Sequence, residues 1–253
     1  MSVATDLLDA LDWRDDRILL DDLVLRLQER PDDPPLEVDS LAFYKSRAIV
    51  DAYRRLLAAR PGFEPRRIFE IGIWDGGSTA FWYEVFRPEA LVAIDLADRE
   101  DSPLFERFLE RRDAGSAVKT FWRVDQTDTP RLQEIASELG GPLDLVIDDG
   151  SHLYGPTRAS FEALFPALRP GGLYVIEHWP WGHLEEFRRP DHPWAGEIPL
   201  TRLVHDLVEL QGSSPELVAG VDVGYAFVVV ERGPARLYEL RAFSLDAHTV
   251  RSE

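Results

Sequence analysis

Between residues 67 and 176 the chain alternates two kinds of segment, and that alternation limits its fold more than any other feature. Five short apolar runs, at 67–71, 90–94, 118–124, 143–147 and 173–176, are separated by amphipathic stretches at 78–86, 103–112, 130–139 and 156–168. Unbroken apolar runs of this length suit strands covered on both faces, and helices between them supply crossover connections. A parallel sheet with helices on both sides follows. Beyond it, 201–211 predicts a helix, 225–230 a strong strand and 237–243 a further strand, so a late hairpin closes the core.

Ahead of the core, Leu7, Leu8, Leu11, Ile18, Leu19, Leu23 and Leu27 fall at helical spacing, predicting a helix over 4–29. The prolines of 31–35 break it, and 40–59 reads as a second helix with Ser40 as N-cap. Residues 1–62 are therefore expected to be a helical segment of the same domain, and 63–253 its core. Residues 179–199, rich in Trp, Pro, His and Gly, are expected to form a lid insertion.

The net charge of −18 repels phosphate backbones and argues against nucleic-acid partners. With no cysteine, disulfides, zinc–thiolate sites and cysteine nucleophiles are excluded. No signal peptide or membrane-spanning run is seen, so a cytoplasmic protein without membrane contacts is expected. A homodimer or higher homo-oligomer is also expected. Lysine is nearly absent, at Lys45 and Lys119 only, while arginine is abundant.

The first chemical signal is Glu70-Ile71-Gly72-Ile73-Trp74-Asp75-Gly76-Gly77-Ser78, at a strand-to-helix turn where open α/β sheets bind ligands. Its spacing is Gly-x-x-x-Gly-Gly, unlike the Gly-x-Gly-x-x-Gly of dinucleotide folds. An acidic residue followed by Gly-x-x-x-Gly resembles the first motif of class I S-adenosylmethionine (SAM)-dependent methyltransferases. The resemblance implies a Rossmann-like, mostly parallel seven-stranded sheet with SAM held by Glu70, Gly72, Gly76, Ser78 and residues further along. Asp95 ends the next run and could accept two hydrogen bonds from a ribose diol. Asp125-Gln126 follows the third run and would match the adenine contact; the alternative for Asp125 is a helix cap ahead of Pro130. Asp148 is structural or SAM-proximal.

The most specific signal is Ile147-Asp148-Asp149-Gly150-Ser151-His152, followed on the next strand by Val175-Ile176-Glu177-His178. Two adjacent strand ends deliver Asp149, Glu177 and His178 to one place. Oxygen ligands suit Mg²⁺, and a histidine shifts the preference toward Mn²⁺, Fe²⁺ or Zn²⁺. Together with Phe161-x-x-Leu164-Phe165-Pro166-x-Leu168-x-Pro170-Gly171-Gly172, these motifs resemble the metal-dependent sugar O-methyltransferases of macrolide tailoring, the macrocin and mycinamicin type. The resemblance covers roughly 68–178. It implies Asp149 and Glu177 as metal ligands, His152 as general base, and a sugar or glycoside hydroxyl as acceptor. The family's final aspartate is His178 here, which puts the metal's identity in question.

Tyr44, Trp179 and Trp181 are candidate acceptor contacts, since aromatic rings stack on sugars; the tryptophans could instead pack the loop onto the body. Two other readings stay open: a nicotinamide-dependent oxidoreductase, which leaves Asp149, His152 and Glu177 idle, and a non-catalytic SAM-binding protein with a decayed metal site. A metal-free methyltransferase acting on a phenol is a third, within the same superfamily.

Overall fold

The computed structural model describes residues 3–27, 39–235 and 243–249. Its centre is a seven-stranded sheet made by β5 (Arg67–Ile71), β6 (Ala90–Asp95), β7 (Val118–Trp122), β8 (Leu143–Asp148), β9 (Leu168–Glu177), β10 (Val218–Val223) and β11 (Phe227–Arg232). The spatial order is β10-β11-β9-β8-β5-β6-β7. Strands β5 to β9 run parallel, and β11 enters antiparallel to both β9 and β10. This is the class I methyltransferase arrangement. The hairpin partner of β11 is the segment before it, β10; the expected strand at 237–243 lies almost wholly outside the described residues.

Helices cover both faces, and the core divides accordingly. One apolar cluster joins a face of the sheet to α2 (Arg47–Ala58), α3 (Gly77–Phe86) and α4 (Pro103–Arg111). The other joins the opposite face to α5 (Thr129–Ser137), α6 (Tyr154–Leu164) and α7 (Thr201–Ser213). Burying a leucine or phenylalanine such as Leu91 or Phe161 contributes about 1.5–3 kcal/mol, which is why the runs sit between two helical layers. Local signals set where the helices begin. Ser102 accepts from Phe105 N–H and Asp128 from Arg131 N–H, each just before a helix carrying proline in its first turn.

The N-terminal segment corrects the sequence reading. Among the described residues there, only α1 (Val3–Asp9) and α2 are helical; between them lies a second sheet of four strands, β1 (Asp12–Trp13), β2 (Arg17–Leu20), β3 (Leu23–Leu27) and β4 (Leu41–Phe43). Ile18, Leu20, Leu23 and Leu25 are buried while Asp21 and Asp22 form the turn, Asp21 with a left-handed φ of 53°. Alternation, not helical period, governs these residues, because β2 and β3 pair antiparallel through that turn. Ser40 precedes β4, not a helix; the cap of α2 is Ser46, which accepts from Ile49 N–H.

This small sheet is tied directly to the glycine loop. Asp75 accepts from Ala42 N–H at 3.1 Å, and a Cβ on Gly77 would overlap the Ala42 carbonyl oxygen. β4 therefore leads into residues 44–46 at the carboxyl edge of the main sheet.

Candidate active site

Strand register places the acidic residues. Asp148 of β8 sits opposite Ile176 of β9, so Asp149 and Glu177 come next at the same level. Successive side chains point to opposite faces, which separates the two aspartates. Asp148 faces α6, where it is buried and accepts from Ser160 Oγ at 2.6 Å and the Tyr174 hydroxyl at 2.9 Å. Burial pushes its carboxyl up to about 6. This bonding takes Asp148 out of the cofactor-facing set. Asp149 and Glu177 face the other way, toward α2.

There they meet Lys45, which precedes α2. Lys45 Nζ donates to Asp149 Oδ2 at 2.8 Å and to both oxygens of Glu177 at 2.8 and 2.9 Å. The Tyr53 hydroxyl adds a further bond to Glu177 Oε1 at 2.7 Å. Lys45, Tyr53 and Glu177 are all buried. Burial opposes the lysine charge, yet the Asp149 and Glu177 carboxylates outweigh it and hold the ammonium above the ordinary lysine value. Burial likewise opposes the Asp149 charge, but Lys45 and then His178 hold that carboxyl well below the usual range. Glu177 is displaced upward by burial. One signal for Lys45 was present in the sequence: in a chain with 28 Lys and Arg, only two are lysine, and a compact ammonium fits where a guanidinium fork does not.

The other Asp149 oxygen, Oδ1, turns toward two histidines. His178 Nδ1 lies 2.9 Å from it and His152 Nε2 3.8 Å. Both histidines have left-handed backbones, with φ of 59° for His152 and 56° for His178. That conformation is costly for a non-glycine residue, and it turns both rings back over the strand ends. The rings meet edge-on with centroids 5.0 Å apart. Burial lowers the His152 imidazole to about 4, against the pull of Asp149, so it is neutral at neutral pH. The Asp149 carboxylate overcomes burial at His178 and raises it above the ordinary imidazole value. Asp149, His152 and His178 offer ligand atoms within 4.8 Å of one another, which fits a divalent ion. Glu177, with both oxygens engaged by Lys45 and Tyr53, does not fit as a ligand in this arrangement.

The cluster abuts the glycine loop. Asp149 N–H donates to Ile71 C=O at 2.9 Å, and a Cβ on Gly72, whose φ is +102°, would come within 2.5 Å of the Asp149 carbonyl oxygen. Gly76 has φ +88° and starts α3. Glu70 is buried, and its Oε2 accepts from Thr79 Oγ1 at 2.7 Å. Its Oε1 has no partner among the described residues, which fits a cationic ligand group beside the loop. Burial pushes the Glu70 carboxyl up to about 7. Asp95 clamps the loop: Oδ2 accepts from Ile73 and Trp74 N–H at 2.8 and 2.9 Å, and Oδ1 from Ala97 N–H at 2.8 Å.

Gln126 is buried and bridges Ser151 N–H and Ser160 Oγ, behind the metal-like motif. Asp125 is exposed and accepts from Thr127 N–H and Oγ1 at 2.8 Å; the helix cap is Asp128. Tyr44 packs edge-on against Trp74 at 5.3 Å, bordering loop and cluster. Trp181 is buried, and its indole donates to the His152 carbonyl at 2.6 Å, so it is a packing residue and not an acceptor contact. Trp179 remains half-buried at the rim, bonded to Gly224 C=O. Residues 179–199 run over the site as two short 3₁₀ turns and a loop, with the Trp194 ring 5.9 Å from His152 and a bridge from Pro199 to Leu153.

Known proteins share sequence and fold with this chain. Residues 69–179 match the family model described as a methyltransferase domain. The chain is 35% identical over 171 residues to demethylmacrocin O-methyltransferase of Streptomyces fradiae, covering 64% of this chain and 40% of that protein. It is 39% identical over 126 residues to mycinamicin VI 2''-O-methyltransferase of Micromonospora griseorubida, covering 45% of this chain and 28% of the relative. The solved MycE methyltransferase from the mycinamycin pathway, in complex with Mg and SAH, superposes with a TM-score of 0.55 and 31% identity over 73% of this chain and 49% of that one. This chain thus spans less than half the length of these relatives. Residues 69–179 thus match a methyltransferase domain and are similar to the corresponding part of macrocin- and mycinamicin-type sugar O-methyltransferases.

Proposed function

We propose that the chain is a SAM-dependent O-methyltransferase, assisted by a divalent metal, acting on a hydroxyl of a sugar or glycosylated natural product. The observation that carries this reading is the contact between the glycine loop and the Asp149–His152–His178 cluster. It sets a methyl-donor site against an acid–base and metal-ligand site at one sheet edge. The relatives' names and the Mg and SAH of the MycE complex point to the same chemistry.

Methyl transfer from a sulfonium is an in-line displacement. The acceptor oxygen bonds the methyl carbon as the carbon–sulfur bond breaks, and the hydroxyl proton must go to a base. Alignment is the chain's main contribution. In this reading Asp95 binds the ribose and Glu70 the amino end of the donor. His152 accepts the proton: its imidazole has no hydrogen bond among the described residues and is neutral near pH 7. Asp149 and His178, whose donor atoms are 2.9 Å apart, would hold the metal. When bound, a divalent ion supplies Lewis acidity that makes a nearby hydroxyl easier to deprotonate. Tyr44 and Trp179 border the acceptor, and residues 179–199 act as its lid.

No helix among the described residues is long and apolar enough to cross a membrane; we place the enzyme in the cytoplasm, as a homo-oligomer. The test is methyl transfer from labelled SAM to a panel of glycosides and phenols, with and without EDTA, followed by added Mg²⁺ or Mn²⁺. Transfer to glycosides that stops in EDTA supports the reading. Full activity in chelator, or transfer to phenols alone, overturns it.

A further inference from the structure

We infer that Lys45 is the resident cation between Asp149 and Glu177, and that it confines a divalent ion to the Asp149–His178 side, where a nitrogen ligand selects Mn²⁺ or Co²⁺ over Mg²⁺. The inference deepens the metal-assisted reading above and rests on it. Three observations carry it. The ammonium contacts Asp149 Oδ2 and both Glu177 oxygens within 2.9 Å, with its side chain wholly buried. Glu177 is also bonded by Tyr53, so its oxygens have no room for an ion that would have to abut the ammonium. The acceptor left over, Asp149 Oδ1, faces the imidazole nitrogens of His178 at 2.9 Å and His152 at 3.8 Å.

The charge count runs the same way. Two carboxylates lose one of their two negative charges to Lys45, which weakens attraction for a hard dication that binds mainly through charged oxygen. Magnesium is a hard ion held through oxygen, whereas first-row transition ions accept nitrogen ligands, Co²⁺ more tightly than Mn²⁺. Lysine serves this role where arginine, the chain's usual cation, could not, because a point-like ammonium fits between two carboxylates on adjacent strands.

The experiment is calorimetric titration of the full chain with Mg²⁺, Mn²⁺ and Co²⁺, each alone, for the wild type, Lys45→Met and His178→Asp. Pulsed electron paramagnetic resonance of the Mn²⁺-loaded proteins accompanies it. The wild type is expected to bind Mn²⁺ on the order of tenfold or more tighter than Mg²⁺ and to show nitrogen coupling to the bound ion. Lys45→Met should gain Mg²⁺ affinity on the order of tenfold, since an opposing charge has left the carboxylate pair. His178→Asp keeps Lys45, tolerates the left-handed backbone, and should lose the nitrogen coupling while binding Mg²⁺ more tightly. It decides the matter if Lys45→Met fails to fold. Equal Mg²⁺ and Mn²⁺ affinity in the wild type, no Mn²⁺ binding, no nitrogen coupling, or coupling that survives in His178→Asp overturns the inference. SAM is titrated into the same wild-type sample: absent SAM binding refutes the methyltransferase reading, while the metal results still decide the role of Lys45.

Discussion

Asp95→Ala tests whether a donor ribose lies at the end of β6, and the structure makes the answer separable into two parts. The Asp95 carboxylate accepts three backbone N–H groups, from Ile73, Trp74 and Ala97. Charged hydrogen bonds contribute about 1.5–3 kcal/mol each when buried, but this site is half-exposed and water can replace part of them. Loss of the clamp should therefore cost the fold about 1–2 kcal/mol, or about 2–8 °C in melting temperature for a chain of this size. A direct contact to the diol adds its own loss of about 1–3 kcal/mol in binding, or roughly 5- to 150-fold in Kd. Calorimetry with S-adenosylhomocysteine and its 2′,3′-dideoxy analogue, each on wild type and Asp95→Ala, isolates that contribution as a double-mutant cycle. If Asp95 holds the diol, removing the hydroxyls weakens binding to the wild type and scarcely matters in the variant. If the analogue loses the same affinity in both proteins, with coupling below about 0.5 kcal/mol, Asp95 is only a loop clamp and the placement is wrong.

His152→Ala should lower turnover by about 10²–10⁴-fold with SAM affinity intact, and a fall smaller than about tenfold removes His152 from the role of base. His152→Asn, which tolerates the left-handed φ of 59°, is the folding control, and metal affinity measured on it tells ligation from proton transfer. Glu70 yields a pH prediction. Its folded value of about 7 exceeds the ordinary 4.5, so the folded state holds the extra proton and stability falls as pH rises from about 4.5 to 7, then levels off. The loss is about 3 kcal/mol, from roughly 1.4 kcal/mol per unit; Glu70→Gln should flatten that dependence in urea titrations at pH 5 and pH 8, and an unchanged slope would refute it. Gly77→Ala should cost about 1–3 kcal/mol in thermal unfolding through its overlap with the Ala42 carbonyl, and a neutral result would mean β4 is not locked to the glycine loop.

The central sheet could be read from the chain because a strand buried on both faces must be apolar along its whole length. The runs at 67–71, 90–94 and 143–147 therefore stand out against the amphipathic helices, and β5, β6 and β8 follow them closely. Gly72 and Gly76 were legible for a related reason, since both adopt left-handed backbones that few other residues accept. The Asp149–His152–Glu177–His178 grouping followed from strand ends that the sequence itself marks.

Tertiary structure alone decided the rest. Ile18, Leu19, Leu23 and Leu27 continue the helical period of Leu7 and Leu8 by count, but pairing of β2 with β3, and of β3 with β4 from beyond residue 38, makes them a sheet. Adjacent aspartates in one motif part company because a strand sends Asp148 to α6 and Asp149 to α2. Lys45 reaches Asp149 across 104 residues and Glu177 across 132, and no local pattern reports a contact of that span. Local chemistry and periodicity thus determine which residues gather at the sheet edge. Which oxygen receives a proton, an ammonium or a metal depends on side-chain direction and long-range pairing, and these exist only once the chain is folded.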